Sequence, residues 1–182
     1  MAHGLIVESK IAAKDIDALN RSVVGSVDFD GGALLDLTAP STVGEDRWTA
    51  AVPSTTLNGL YVAYNPTTRI NVVEGREFAG LILDERAYTN IATKTFDAFK
   101  PKLGDEIEFS ADAIDATVAD AVAGDILESK AGQSKLTRIA ASTGATANHT
   151  AFKIEYVKTY DFPQAGIGTE KVKFFRCVCI AE

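Results

Sequence analysis

The text near the C-terminus constrains the fold more than any other feature of this chain. Phe152-Lys153-Ile154-Glu155-Tyr156-Val157-Lys158 alternates apolar and charged side chains, and Val172-Lys173-Phe174-Phe175-Arg176-Cys177-Val178-Cys179-Ile180 answers it after a connection from Pro163 to Gly168. A period of two in β-branched and aromatic residues is the pattern of strands with one buried face. Two such segments so close together are expected to pair with each other. Only Ala181 and Glu182 follow, so the C-terminus is expected to be held in a sheet.

The rest of the chain reads in the same cadence of short apolar runs cut by turn formers. Ala33-Leu34-Leu35-Asp36-Leu37 and Trp48-Thr49-Ala50-Ala51-Val52 lie on either side of Ala39-Pro40-Ser41-Thr42. Leu60 to Tyr64 stops at Asn65-Pro66, Ile70 to Val73 at Glu74-Gly75, and Phe78 to Leu83 at Asp84-Glu85-Arg86. Phe96, Phe99 and Leu103 flank the proline-stiffened Lys100-Pro101-Lys102 and are read as anchoring it to the core. Gly104-Asp105 and Gly124-Asp125 each introduce a strand, a weak internal echo. Asp125 to Ser129 and Lys135 to Ala140 form a hairpin candidate through Ala131-Gly132-Gln133. Residues 111–123 read as a loop with at most one or two helical turns. Ile11, Ile16, Leu19 and Val23 leave residues 5–29 open between a short helix and an extended arm. The fold expected is mainly β, a barrel or sandwich with one or two short helices. Residues 1–40 form an N-terminal arm or small subdomain, and 41–182 the β-rich domain.

A chain of 182 residues can remove roughly 70% of its unfolded surface from water without a covalent staple. Its 18 basic and 25 acidic residues leave a net charge of −7, which repels a phosphate backbone and argues against nucleic acid as a partner. Leu5-Ile6-Val7 is too short and lacks the basic flank of a secretory leader, and no stretch approaches the length of a bilayer span. The expectation is a cytoplasmically made protein with no membrane partner. Cys177 and Cys179, two apart on one strand face, are read as buried free thiols.

Chemistry finds little material. His3 and His149 are the only histidines, one read as part of a mobile terminus and the other as a polar loop residue. Asp28-Phe29-Asp30-Gly31-Gly32 has the look of a calcium-loop fragment but lacks its further ligands, so it reads as a turn. No phosphate-binding glycine loop or nucleophile elbow occurs. No catalytic, cofactor-binding or metal-binding residue is assigned, no cofactor is expected, and the chain is read as not an enzyme. Trp48, Tyr61, Tyr64, Tyr88 and Tyr160 are the aromatic set that a sugar- or partner-binding surface could draw on.

Phe78-Ala79-Gly80-Leu81-Ile82-Leu83-Asp84-Glu85-Arg86-Ala87-Tyr88-Thr89-Asn90, then Lys94 to Asp105 and Ser110 to Ile114, resemble the central region of capsid decoration, or cement, proteins of tailed bacteriophages. The likeness covers residues 58–140. It implies a structural virion protein on the outer face of the capsid, assembled in the host cytoplasm, that clamps neighbouring copies of the major capsid protein and self-associates, a trimer being one form. It transfers no contact residue. Two other functions fit the same text: a tail-tube or baseplate subunit, which would build rings or tubes, and a small carbohydrate-binding module using Trp48 and the tyrosines.

Overall fold

The computed structural model describes residues 2–40, 47–67, 70–73, 76–79, 85–115, 120–163 and 169–182. The strands are β1 (Ile6–Lys10), β2 (Asn20–Gly25), β3 (Leu34–Pro40), β4 (Arg47–Ala51), β5 (Tyr61–Ala63), β6 (Ile70–Val73), β7 (Arg76–Ala79), β8 (Thr95–Phe99), β9 (Glu106–Ser110), β10 (Ile126–Glu128), β11 (Thr137–Ile139), β12 (Ala151–Pro163) and β13 (Thr169–Ala181). The fold is mainly β. A closed five-stranded barrel, β2-β4-β3-β5-β8, stands against a six-stranded sheet in the order β1-β9-β13-β12-β10-β11, and β6 and β7 form a separate hairpin. Helical structure among the described residues is limited to three-residue 3-10 turns at Ala12–Lys14, Asp17–Leu19, Glu85–Ala87 and Ala111–Ala113.

Barrel and sheet share one core. Leu34, Leu60, Val62 and Phe99 from the barrel side pack with Ile6, Ile107, Phe109, Leu127, Phe152, Phe175 and Cys177 from the sheet. A second cluster, with Val23, Phe29, Leu35, Ala50 and Phe96, lies within the barrel. Phe96 and Phe99 therefore do anchor, as strand residues of β8, whereas Leu103 is 63% exposed in the turn before β9. The correction is physical: the turn lifts Leu103 away from both clusters.

Residues 1–40 contribute to both halves. β1 pairs with β9 at the sheet edge, while β2 pairs in parallel with β4 and antiparallel with β8, and β3 joins β4 and β5. The segment left open between helix and arm is neither. It forms β1, two 3-10 turns and β2, because its apolar residues do not share a helical face: Ile11 is buried and Ile16 is half exposed.

The Gly-Asp echo is a repeated structural device. Gly104 and Gly124 adopt φ of 89° and 97°, a region that costs glycine little. Each following aspartate accepts the N–H three residues earlier, Lys102 to Asp105 at 2.8 Å and Val122 to Asp125 at 3.1 Å. Each turn is then clamped to the central hairpin. Gly104 donates to the Cys179 carbonyl and Cys179 to that of Asp105, just as Gly124 donates to Ile154 and Ile154 to Asp125. The two turns thus deliver β9 onto β13 and β10 onto β12. The expected β10–β11 hairpin forms, with Ile126 opposite Ile139.

Candidate docking surface

β12 and β13 are each 13 residues long, far longer than the strands beside them. β10 covers the other edge of β12 only at Ala151 to Lys153, and β9 covers β13 only from Phe174 to Val178. Among the described residues, 159–163 and 169–173 pair only with each other. They form a two-stranded ribbon that outruns the sheet by about 16 Å at ~3.3 Å per residue. Leu5, Val172, Phe174 and Phe162 pack into a small cluster along it. The Arg86 guanidinium sits 5.2 Å above the Phe162 ring and reaches Glu170 at 2.6 Å.

A bulge sets which side chains the ribbon shows. Ile154 lies opposite Cys177, but Tyr156 lies opposite Arg176, so one extra residue of β12 is accommodated at Glu155. Phe152 and Ile154 consequently face the core, while Tyr156, which the alternation placed beside them, is turned to the outer face with Lys158, Tyr160 and Phe162.

That face is organised around Glu108, 2% exposed at the centre of β9. Its carboxylate accepts Lys158 Nζ at 2.7 Å and Tyr160 Oη at 2.8 Å, and Arg176 lies 3.6 Å away. Arg176 also bonds Glu106. Its guanidinium and the Lys158 ammonium lie 5.5 and 5.2 Å from the Tyr156 ring centroid, close enough for cation–π attraction. Tyr160 meets Phe174 edge-on at 5.0 Å.

The hydrogen bonds to Glu108 push the ionisation of Lys158 and Tyr160 upward. Both groups keep their protons at neutral pH, so this network holds geometry and does not relay protons. Burial also raises the Cys177 thiol and pushes Cys179 up to about 12. Both are free and buried, which makes them poor nucleophiles.

The other residues singled out from the sequence are dispersed. His3 is tied to Asp30 at 2.7 Å instead of lying in a loose terminus, and Asp30 also accepts Thr89 Oγ1. His149 bonds the Ser129 carbonyl. Asp28 accepts the Ala92 N–H, as a turn residue does. Trp48 and Tyr61 pack on the barrel cluster, Tyr64 lies against Phe99 in the shared core, Tyr88 is buried, and Tyr160 belongs to the ribbon. Among the described residues no group of three or more His, Cys, Asp or Glu could hold a metal ion, and no helix is long and apolar enough to cross a membrane.

An open cleft of 590 Å³ lies between barrel and sheet, lined by Glu8, Lys14, Asn20, Tyr64, Asn65 and Asp97 among others. Its amides serve the backbone. Asn65 both accepts from and donates to Ile6, and Asn20 donates to the Ala13 carbonyl while accepting Tyr64 Oη. The cleft is a seam held by hydrogen bonds.

Of the sequence signals, the pairing of the two long strands was readable, and it is this pair that forms the surface. The role of Glu108 was not, because a charged residue alternating with Ile107 and Phe109 reads as solvated. No protein-family model matches the chain, and no curated protein or solved structure matches it either.

Proposed function

We propose that this chain is a structural protein of a tailed-phage virion that binds the outer surface of the capsid and stabilises contacts between major capsid protein subunits. The observation that carries the reading is the β12–β13 ribbon. It carries exposed Tyr160, with exposed Tyr156 and Val157 just before it on the same strand, and among the described residues no strand other than β13 pairs with β12 beyond Lys153, which leaves an edge for strand addition. Tyrosines supply contact area with a polar tip.

Charge supports the same reading. The chain carries −7 overall, yet in residues 155–163 and 169–173 Glu155, Asp161 and Glu170 are balanced by Lys158, Lys171 and Lys173. An electrically neutral ribbon can approach another protein without the repulsion the rest of the surface exerts. Repetition on a shell lets modest affinity per copy hold the coat together. The resemblance of residues 58–140 to cement proteins is the reason for proposing the shell as the partner.

The test is shell stability. Purified protein added to empty capsids that lack it is expected to raise the temperature at which the shells come apart, saturating with dose. Unchanged shells, with rings or tubes grown by the free protein, would move the assignment to a tail subunit. Unchanged shells with binding to isolated glycans would move it to a carbohydrate-binding module.

A further inference from the structure

Beyond Lys153 the edge of β12 away from β13 has no strand partner among the described residues; this edge is self-complementary, and we infer that two copies of this chain pair there antiparallel about a two-fold axis at Thr159. The inference deepens the shell reading by naming a second partner for the ribbon, and it rests on that reading only for its biological setting.

The edge has defined limits. β10 leaves β12 after Lys153, the bulge falls at Glu155, and Pro163, which has no N–H to donate, stands at the other end. Bulges and prolines protect sheet edges when they interrupt them; here they frame an uninterrupted run from Tyr156 to Phe162, about 23 Å at ~3.3 Å per residue. The residue midway along that run is Thr159, which is exposed.

Antiparallel pairing centred on Thr159 sets directly opposed side chains on the same face. On the outer face Tyr156 of one copy meets Phe162 of the other, and Lys158 meets Tyr160. On the opposite face Val157 meets Asp161, and Thr159 meets its own equivalent. Aromatic pairs and a lysine against an aromatic ring are favourable neighbours, and no like charges stand directly opposite. Lys158 is already neutralised by Glu108 at 2.7 Å. Centring the pair on Lys158 or on Asp161 would set like charges face to face, so the sequence disfavours those registers. The local charge balance described above removes the long-range penalty that two acidic chains would otherwise meet.

Sedimentation velocity of the full chain over a concentration series tests this. A reversible monomer–dimer equilibrium is expected. Thr159→Glu should weaken it by about tenfold or more, because two carboxylates then meet across the axis. Thr159 is exposed within the monomer, so the same substitution should leave the melting temperature nearly unchanged. Thr159→Cys should give a covalent dimer on mild oxidation, since Cα atoms opposed in an antiparallel pair lie about 4.5–5.5 Å apart, within disulfide reach. Asp161→Cys, which would face Val157, should not. The native thiols are buried and do not compete.

A chain that stays monomeric at every concentration, or a dimer indifferent to Thr159→Glu and not cross-linked by Thr159→Cys, overturns the inference. Shell binding separates the two ideas. A monomer that still coats shells removes only the pairing, and a Thr159-dependent dimer that ignores shells removes only the shell assignment.

Discussion

Glu108 shows how one side chain governs a surface. Buried at the centre of β9, it fixes Lys158, Tyr160 and Arg176 at once, and these residues carry the ribbon's outer face. Glu108→Ala leaves two cations without their shared carboxylate, and the expected loss is about 2–4 kcal/mol in denaturant unfolding. Glu108→Gln should lose roughly half as much, because the amide oxygen still accepts one hydrogen bond. Equal stability of all three proteins would mean that the network contributes nothing. Asp125 makes the corresponding case for pH. Burial works to raise its ionisation, but the Val122 N–H, the Arg138 guanidinium at 2.7 Å and the Ala141 N–H together outweigh it and hold the carboxyl below its ordinary value. A carboxylate with a depressed folded value stabilises the protein fully above its unfolded value, about 3.9, and that stability disappears as pH falls through the folded one. Asp125→Asn should therefore be less stable at pH 7 and show a shallower loss of stability below about pH 4. An unchanged slope would assign the acid sensitivity to other carboxylates.

At the scale of elements, residues 1–40 supply the sheet edge and two barrel strands. Deleting 1–27 removes β1 and β2, opening the barrel between β4 and β8 and exposing Phe99 and Ile107, both fully buried. The expected product lacks a cooperative melting transition by circular dichroism; a truncated chain that melts cooperatively near the native temperature would show that the remaining strands suffice. Legibility in the sequence followed the range of the interactions involved. The β10–β11 hairpin and the β12–β13 pair are local, signalled by alternation and turn residues, and both form. The Gly-Asp echo was visible as text, but its function as a clamp depends on Cys179 and Ile154, which are distant in sequence. A barrel was among the expected folds, but which strands close it was not legible, because the closure joins β2 to β8, 71 to 79 residues apart. The outer face was misread for a smaller reason. One bulge at Glu155 reverses the alternation, and the sequence marks the extra residue only by the adjacent apolar pair Tyr156-Val157.

For the whole molecule, the shared core ties barrel and sheet into one support from which the ribbon extends. Such a body suits a protein that works by being placed: many copies, each held weakly, together resist the opening of a shell. The charge pattern fits that use, since an acidic surface discourages indiscriminate contact while the neutral ribbon remains available. The measurement that tests the shell assignment most directly is co-sedimentation of the purified chain with empty phage capsids that lack it, over a protein titration. Binding that saturates at a fixed number of copies per capsomer, and is weakened when Tyr156 and Tyr160 are both replaced by serine, is the result expected. Absence of saturable binding to any such shell by a folded protein would contradict the account.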